Sequence, residues 1–290
     1  MKTITNTRKV MAGITLAAGS LFAMGASADE ITAWNFVTDG GFIIGNSTCN
    51  NGPDDSDCNL EYDNTSGVTP STIPNTASIV KWGTPSTSSA SNGEQSGLQG
   101  VFGATGEGSF NAELLGSGEV PIPMFEQIIT NGGWTNTGAA AHYNNIITPD
   151  GGFMETSTLR SSFQLLSPEA SSVFSTDLDI VFNETPNTGG CPLGNPHGTI
   201  CDDVFNLSGV LNPFTFAVDG QLYKASFQFA DGPGAIVVNG TTIFTAEDSP
   251  GTAVMFVQGR IDTIPLPGIL ALMGMGLVMI GWQVRGRKRV

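Results

Sequence analysis

Two histidines, four cysteines and a run of carboxylates carry most of the chemistry open to this 290-residue chain. The cysteines fall as two local pairs, Cys49/Cys58 and Cys191/Cys201. Four cysteines allow three pairings, and the local one is favoured because each bridge closes a short polar loop at small entropy cost. Each such bridge adds about 2–3 kcal/mol by restricting the unfolded chain. A zinc site competes for the second pair, since His197 lies between Cys191 and Cys201 and Asp202 follows them. Zinc ligands come grouped as C-x₂₋₄-C, and this C-x₅-H-x₃-C run lacks that grouping.

The carboxylates cluster in residues 45–78, where Asp55, Asp57, Asn59, Glu61 and Asp63 alternate like the opening of an EF-hand loop. Position six of that loop would be Leu60 instead of Gly, and position twelve Ser66 instead of Glu, so the EF-hand match fails. An irregular calcium site on Asp55, Asp57, Asn59 and Glu61 stays open beside a solvated acidic loop held by Cys49 and Cys58. His142 and Asn144, two residues apart, sit on one side of an extended segment. They either hydrogen-bond a loop backbone or touch a ligand. H-E-x-x-H, G-x-S-x-G and Walker-type Gly/Lys loops are all missing from the sequence. Pairing of the cysteines removes a thiol nucleophile, and nothing selects two of the 26 acids for glycoside hydrolysis. The chain is therefore expected to be no enzyme and to need no cofactor, calcium being the one candidate.

The elements that hold these residues read as strands. Ile31–Val37 and Ser78–Trp82 form strand patterns, with weaker ones at Ser109–Leu115, Gln127–Thr130, Thr158–Leu166 and Leu178–Phe182. Thr84 to Gly97 is low-complexity and is expected to be a mobile surface loop. The C-terminal third predicts two hairpins, Phe214–Phe229 around Asp219-Gly220 and Ala235–Thr245 around Asn239-Gly240, followed by a strand at Ala253–Val257. The fold class is all-β: an antiparallel, jelly-roll-like β-sandwich with long polar loops, covering 29–262.

Both ends differ from this body. Lys2, Arg8 and Lys9 precede an apolar stretch, Val10 to Met24, and Ala26-Ser27-Ala28 fits a cleavage site between Ala28 and Asp29. Residues 1–28 thus predict a signal helix that routes the chain through the Sec translocon and signal peptidase into an oxidising compartment. At the other end, 263–290 carries Pro265, Leu266 and Pro267, an apolar run from Gly268 to Val284, and a basic tail of Arg285, Arg287, Lys288 and Arg289. The run is 17 residues, about 25 Å at ~1.5 Å per residue, shorter than the ~20 residues of a comfortable membrane span. The flanking cations place the tail on the cytoplasmic side, with everything before it outside. The ends hold seven of the 11 Lys+Arg, leaving Lys81, Arg160, Lys224 and Arg260 against 26 Asp+Glu, near −22 for the body. Such a surface excludes nucleic acid as a partner and leaves divalent cations or cationic matrix components as attractive ones.

The C-terminal tail resembles the PEP-CTERM sorting signal of exported bacterial proteins, in which a Pro-Glu-Pro motif precedes an apolar helix and a basic end. Here Pro265, Leu266 and Pro267 match the motif, with leucine in place of glutamate. The resemblance implies transient inner-membrane insertion, cleavage near the motif by an exosortase, and delivery to the cell surface or extracellular matrix. An ordinary single-pass anchor is the alternative. Trp134 to Asn145, with Ala141-His142-Tyr143-Asn144 at its end, resembles the Thr-His-x-Asn signature of the THxN subfamily, with alanine where threonine is usual. The function these likenesses imply is structural or adhesive, in a biofilm matrix with exopolysaccharide as partner. Two other classes stay open: a calcium-assisted carbohydrate-binding sandwich with Trp82 or Trp134 on exposed loops, and a secreted hydrolase with carboxylates around His142.

Overall fold

The computed structural model describes residues 30–50, 58–64, 72–85, 95–106, 110–112, 120–145, 147, 152–167, 170–185, 190–198, 201–209, 212–246 and 251–265. The chain divides into two compact units, Met1–Glu30 and Ile31–Val290, and the architecture below belongs to the second. The expected cleavage site at Ala28 and Asp29, the loop acids Asp55 and Asp57, and the tail from Leu266 through Arg289 lie outside the described residues. Among the described residues no helix is long and apolar enough to cross a membrane.

The described residues form eighteen strands in chain order: β1 (Ala33–Ile43), β2 (Thr48–Cys49), β3 (Glu61–Asp63), β4 (Thr76–Ala77), β5 (Ile79–Trp82), β6 (Ser96–Val101), β7 (Phe110–Ala112), β8 (Val120–Ile122), β9 (Ile128–Ile129), β10 (Thr135–Asn144), β11 (Met154–Ser167), β12 (Ala170–Asn183), β13 (Asp203–Ser208), β14 (Phe214–Val218), β15 (Gln221–Ala230), β16 (Ala235–Val238), β17 (Thr242–Thr245) and β18 (Gly251–Ile264). The first sheet runs β16-β17-β13-β12-β11-β1-β4, with β2 beside β11 and β9 beside β1. The second runs β14-β15-β18-β10-β6-β5-β3, and β7 pairs with β8 alone. Every strand pairing in the two sheets is antiparallel, so the expected all-β, sandwich-like class holds.

Alternation builds the core. In β1, Trp34, Phe36, Thr38 and Phe42 are buried at every second or fourth position, while the residues between them are mostly only half-buried. Period-two patterning of this kind puts one face of a strand into the interior. Each fully buried aromatic contributes roughly 2–3 kcal/mol. One cluster gathers Trp34, Phe36, Phe125, Phe163, Tyr223 and Ile261, with Trp34 edge-on to Tyr223 at 4.9 Å. A second gathers Trp82, Met154, Ile180, Phe182, Phe205 and Met255.

The two hairpins read from the sequence are present. β14 and β15 turn at Asp219 and Gly220, and β16 and β17 at Asn239 and Gly240, all four with positive φ. That backbone conformation matches the twist of the flanking strands and is tolerated best by Asn, Asp and Gly. The loop expected from Thr84 to Gly97 needs correction at its end, because Ser96 and Gly97 open β6 and are buried. Trp82, placed above on an exposed loop, is fully buried on β5; Trp134 is 38% exposed. β18 reaches Ile264 and stops immediately before Pro265, the first residue of the proline motif.

Candidate functional site

Strand β10 places His142 and Asn144 on one side, as a two-residue spacing requires. Its neighbours in the second sheet are β18 and β6. Ala139, Ala141 and Tyr143 join the first core cluster, whereas Ala140 packs against the second and His142 meets three aromatics of it. The strand is buried along nearly its whole length.

Facing His142 and Asn144 are two residues of the first sheet, Asp203 at the start of β13 and Thr245 at the end of β17, which pair directly across those strands. His142 Nδ1 lies 2.9 Å from Thr245 Oγ1. Asn144 Nδ2 donates to Asp203 Oδ2 at 2.9 Å. Thr245 Oγ1 donates in turn to the Asp203 carbonyl at 3.4 Å. The other carboxylate oxygen of Asp203 accepts from the Thr185 backbone N–H at 2.9 Å. Thr185 also gives its hydroxyl proton to the Cys201 carbonyl at 2.9 Å. Five buried polar side chains and three backbone groups thus join β10 to β13, β17 and the end of the Cys191–Cys201 loop. A buried carboxylate needs such partners, since leaving one unsatisfied costs more than the bond itself is worth.

The imidazole of His142 is 2% exposed. It stacks on Trp82, with ring centroids 5.9 Å apart and planes 10° from parallel, and Phe205 meets it edge-on at 4.8 Å. Removal from water pushes its pKa from 6.5 down to about 3, so the ring stays neutral. Among the described residues, its Nε2 and the Trp82 Nε1 are buried without a hydrogen-bond partner. Beside it Tyr143 donates its hydroxyl to Gln99 Oε1, and burial raises that phenol well above its ordinary range.

Both local disulfides form, Cys49–Cys58 and Cys191–Cys201, with Cα atoms 5.9 and 5.1 Å apart. They are consistent with an oxidising, extracellular environment. The second bridge answers the zinc question, because its sulfurs are bound to each other. His197 instead pairs through Nδ1 with Asp202 Oδ2 at 2.9 Å, and its backbone N–H donates to the same oxygen at 3.2 Å. Of the calcium candidates within the described residues, Asn59 donates its amide to Thr84 Oγ1 at 2.9 Å, and Glu61 is exposed on β3 opposite Lys81. Among the described residues, no three His, Cys, Asp or Glu side chains come together as metal ligands.

A separate cleft of about 520 Å³ lies along β1, β11 and β12, under Thr72, Ile73 and Pro74. Val37, Gln164 and Val173 form one cross-strand row on it, and Asp39, Ser162 and Ser175 the next. Asp39 accepts from the Thr72 backbone N–H at 3.0 Å, and from its hydroxyl, which ties the overhanging segment to the sheet. Asp203 and Thr245 were missed from sequence as partners of His142 and Asn144, as was Thr185, which donates to Asp203. The one available signal was the Asp202-Asp203 pair directly after Cys201, two acids leading into the apolar Val204 and Phe205.

The sequence matches no protein-family model and no curated protein.

Proposed function

We propose that this chain is an exported, exosortase-sorted component of the cell surface or extracellular matrix, structural or adhesive and without catalytic activity. The observation that carries the reading is the charge layout: seven of 11 cations sit in two apolar-flanked ends, around an acidic body closed by two disulfides. The signal segment routes the chain through the Sec translocon and signal peptidase. The short apolar run Gly268–Val284 and the tail Arg285–Arg289 hold it transiently in the inner membrane, and cleavage near Pro265–Pro267 releases the sandwich. The order of the strands supports the finer, jelly-roll-like description, since from β9 onward the chain crosses between sheets from β9 to β10, from β10 to β11, from β13 to β14, from β15 to β16 and from β17 to β18. Mass spectrometry of the native extracellular protein tests the proposal. Asp29 at the new N-terminus and a C-terminus near Pro265–Pro267 are expected, and an intact chain ending in Val290 refutes processing.

The cleft beside Asp39 favours a second reading, a carbohydrate-binding sandwich. Its volume of about 520 Å³ falls within the ~300–1,000 Å³ of ligand pockets, and hydroxyl, amide and carboxylate groups line it with Val37 and Val173 between them. Glycan arrays run with and without EDTA separate the readings: calcium-dependent retention supports the binding module, and silence in both conditions returns the cleft to a structural role.

A further inference from the structure

Among the described residues, four strands end the two large sheets: β16 and β4 in the first, β14 and β3 in the second. An edge strand offers unpaired backbone N–H and C=O groups to any chain that can add a strand, and proteins blunt it by charge, shortness or cover. Three of the four are blunted. β3 carries Glu61 and Asp63, and β4 is two residues long. β16 is covered by the segment before it. Val237 N–H donates to Asp231 Oδ1 at 2.7 Å, and Ala235 exchanges backbone hydrogen bonds with Gly232 at 3.1 and 3.2 Å.

β14 has none of these devices. Its sequence, Phe214-Thr215-Phe216-Ala217-Val218, carries no charge. The hairpin register fixes which of its groups face outward. Val218 and Gln221 close a two-residue turn and so form a hydrogen-bonded pair, with Phe216–Tyr223 and Phe214–Ala225 as the next two. Thr215 and Ala217 fall between these pairs, so their N–H and C=O groups point away from β15 to the free edge. Neither backbone has a hydrogen-bond partner there among the described residues. Both residues are exposed, while Phe214, Phe216 and Val218 are half-buried on the other face, with Phe214 stacked on Phe174 at 4.4 Å.

We infer that β14 is a self-association edge: two copies of this chain pair their β14 strands antiparallel about a two-fold axis at Phe216, which joins two seven-stranded sheets into one. The strand is its own complement, large and small residues alternating symmetrically about Phe216, as an isologous contact requires. Thr215 then lies opposite the partner's Ala217, and Phe214 opposite the partner's Val218. Each Thr215–Ala217 couple exchanges two backbone hydrogen bonds. A shift of two residues either way would bring Pro213, which has no N–H, or the turn residue Asp219 into the ladder, so this register is the one that uses the whole strand. An uncharged edge also gives a cationic partner no reason to choose it over the rest of so acidic a chain. Five residues at ~3.4 Å each make a contact about 17 Å long, which buries less than the ~1,200–2,000 Å² of stable complexes. The pairing is therefore weak, with a Kd between about 10 µM and 1 mM.

Sedimentation of the full chain in mild detergent, from about 1 µM to 1 mM, tests the inference. Wild type should pass from monomer to dimer across that range. Thr215→Pro removes only an outward N–H, which an edge strand tolerates, and should weaken association at least tenfold. Disulfide trapping reads the register from two exposed positions whose replacement leaves the fold alone. A mixture of Thr215→Cys and Ala217→Cys proteins should cross-link into mixed dimers, because directly opposed Cα atoms about 5.5 Å apart lie within disulfide reach. Thr215→Cys alone should cross-link at least tenfold less, since its two copies are diagonal, about 7–8 Å apart. Three results would overturn the inference: wild type still monomeric at the top of that range, Thr215→Pro associating as tightly as wild type, or the mixture cross-linking no better than Thr215→Cys alone.

Discussion

Lowering the pH from 7 to 4 puts a proton on His142 in the unfolded chain but not in the folded one. The folded pKa is about 3 and the unfolded value is 6.5, because burial among Trp82, Phe182 and Phe205 disfavours the charged ring. Below pH 6.5 the unfolded state binds more protons than the native state, so stability must fall as the pH falls. The stability is fully present above pH 6.5 and is lost progressively toward pH 3. At about 1.36 kcal/mol per pH unit, the loss from this one group is about 2 kcal/mol at pH 5 and about 3.5 kcal/mol at pH 4. His142→Leu removes the titrating group and leaves Thr245 still donating to the Asp203 carbonyl, so no new buried donor is stranded. Guanidinium denaturation of both proteins, disulfides intact, measures the difference at pH 7, 6, 5 and 4. With a slope of about 4 kcal/mol per molar, the wild-type midpoint should drop by about 0.9 M more than the variant's between pH 7 and pH 4. Carboxylates such as Asp177, whose pKa the Arg160 guanidinium lowers chiefly by hydrogen bonding, titrate equally in both proteins and cancel. Equal pH slopes for wild type and His142→Leu would refute the argument.

Asn144→Ala removes a donor from the buried Asp203 carboxylate and should lower stability by about 2–3 kcal/mol in the same denaturation assay; a loss below about 0.5 kcal/mol would show that the bond at 2.9 Å is replaced without cost. The double change Cys191→Ser, Cys201→Ser opens a loop with a sequence separation of 10 and should cost about 3 kcal/mol, read as a lower thermal midpoint in the oxidised protein. Gly232→Ala would set a methyl group 2.0 Å from the Val254 carbonyl oxygen, so β18 must shift; a loss of about 3 kcal/mol or an insoluble product is expected on expression, against a normal yield for Gly240→Ala. Gly240 is the control for backbone strain, because its φ of 74° disfavours a side chain although no atom stands near.

The hairpins and the first strand were legible because their chemistry is local. Alternation in β1 and the Asp219-Gly220 and Asn239-Gly240 turns each need only a few neighbouring residues to be read. Strands β6 and β10 were not legible for the opposite reason. All six residues of β6 are buried, and it carries Gly97 and Gly100 where a strand pattern would show large apolar groups. A Cβ on Gly100 would come within 2.6 Å of the Phe102 ring, so the glycine is set by a packing partner that no periodicity announces. Strand β10 runs through Ala139-Ala140-Ala141, small on both sides, because it lies between β18 and β6 and is covered along its length. Burial of both faces erases the polar half of the alternation. The disulfide pairing was legible from loop length alone, while Asp203 and Thr245 were not, since they lie 59 and 103 residues from the side chains they bind.

The placement of His142 and Asn144 also says what such a polar pair does in an apolar interior. A two-residue step along β10 is about 6.7 Å, and the facing partners Asp203 and Thr245 are a directly paired couple about 5 Å apart across β13 and β17. Each side chain of β10 therefore meets its own partner, and the two bonds form together only when the sheets sit in one position. Sliding β10 by one residue would turn His142 and Asn144 to the other face and bring Ala141 and Tyr143 against Asp203. The buried carboxylate would then lose a donor, at a cost of several kcal/mol that no apolar contact returns. Hydrophobic packing resists the same slip, because Tyr143 would leave the first core cluster for the face that Ala140 now occupies. The hydrogen bonds add a directional requirement, so the His142–Thr245 and Asn144–Asp203 pairs act together with the packing to fix the position of the second sheet over the first at this end of the sandwich.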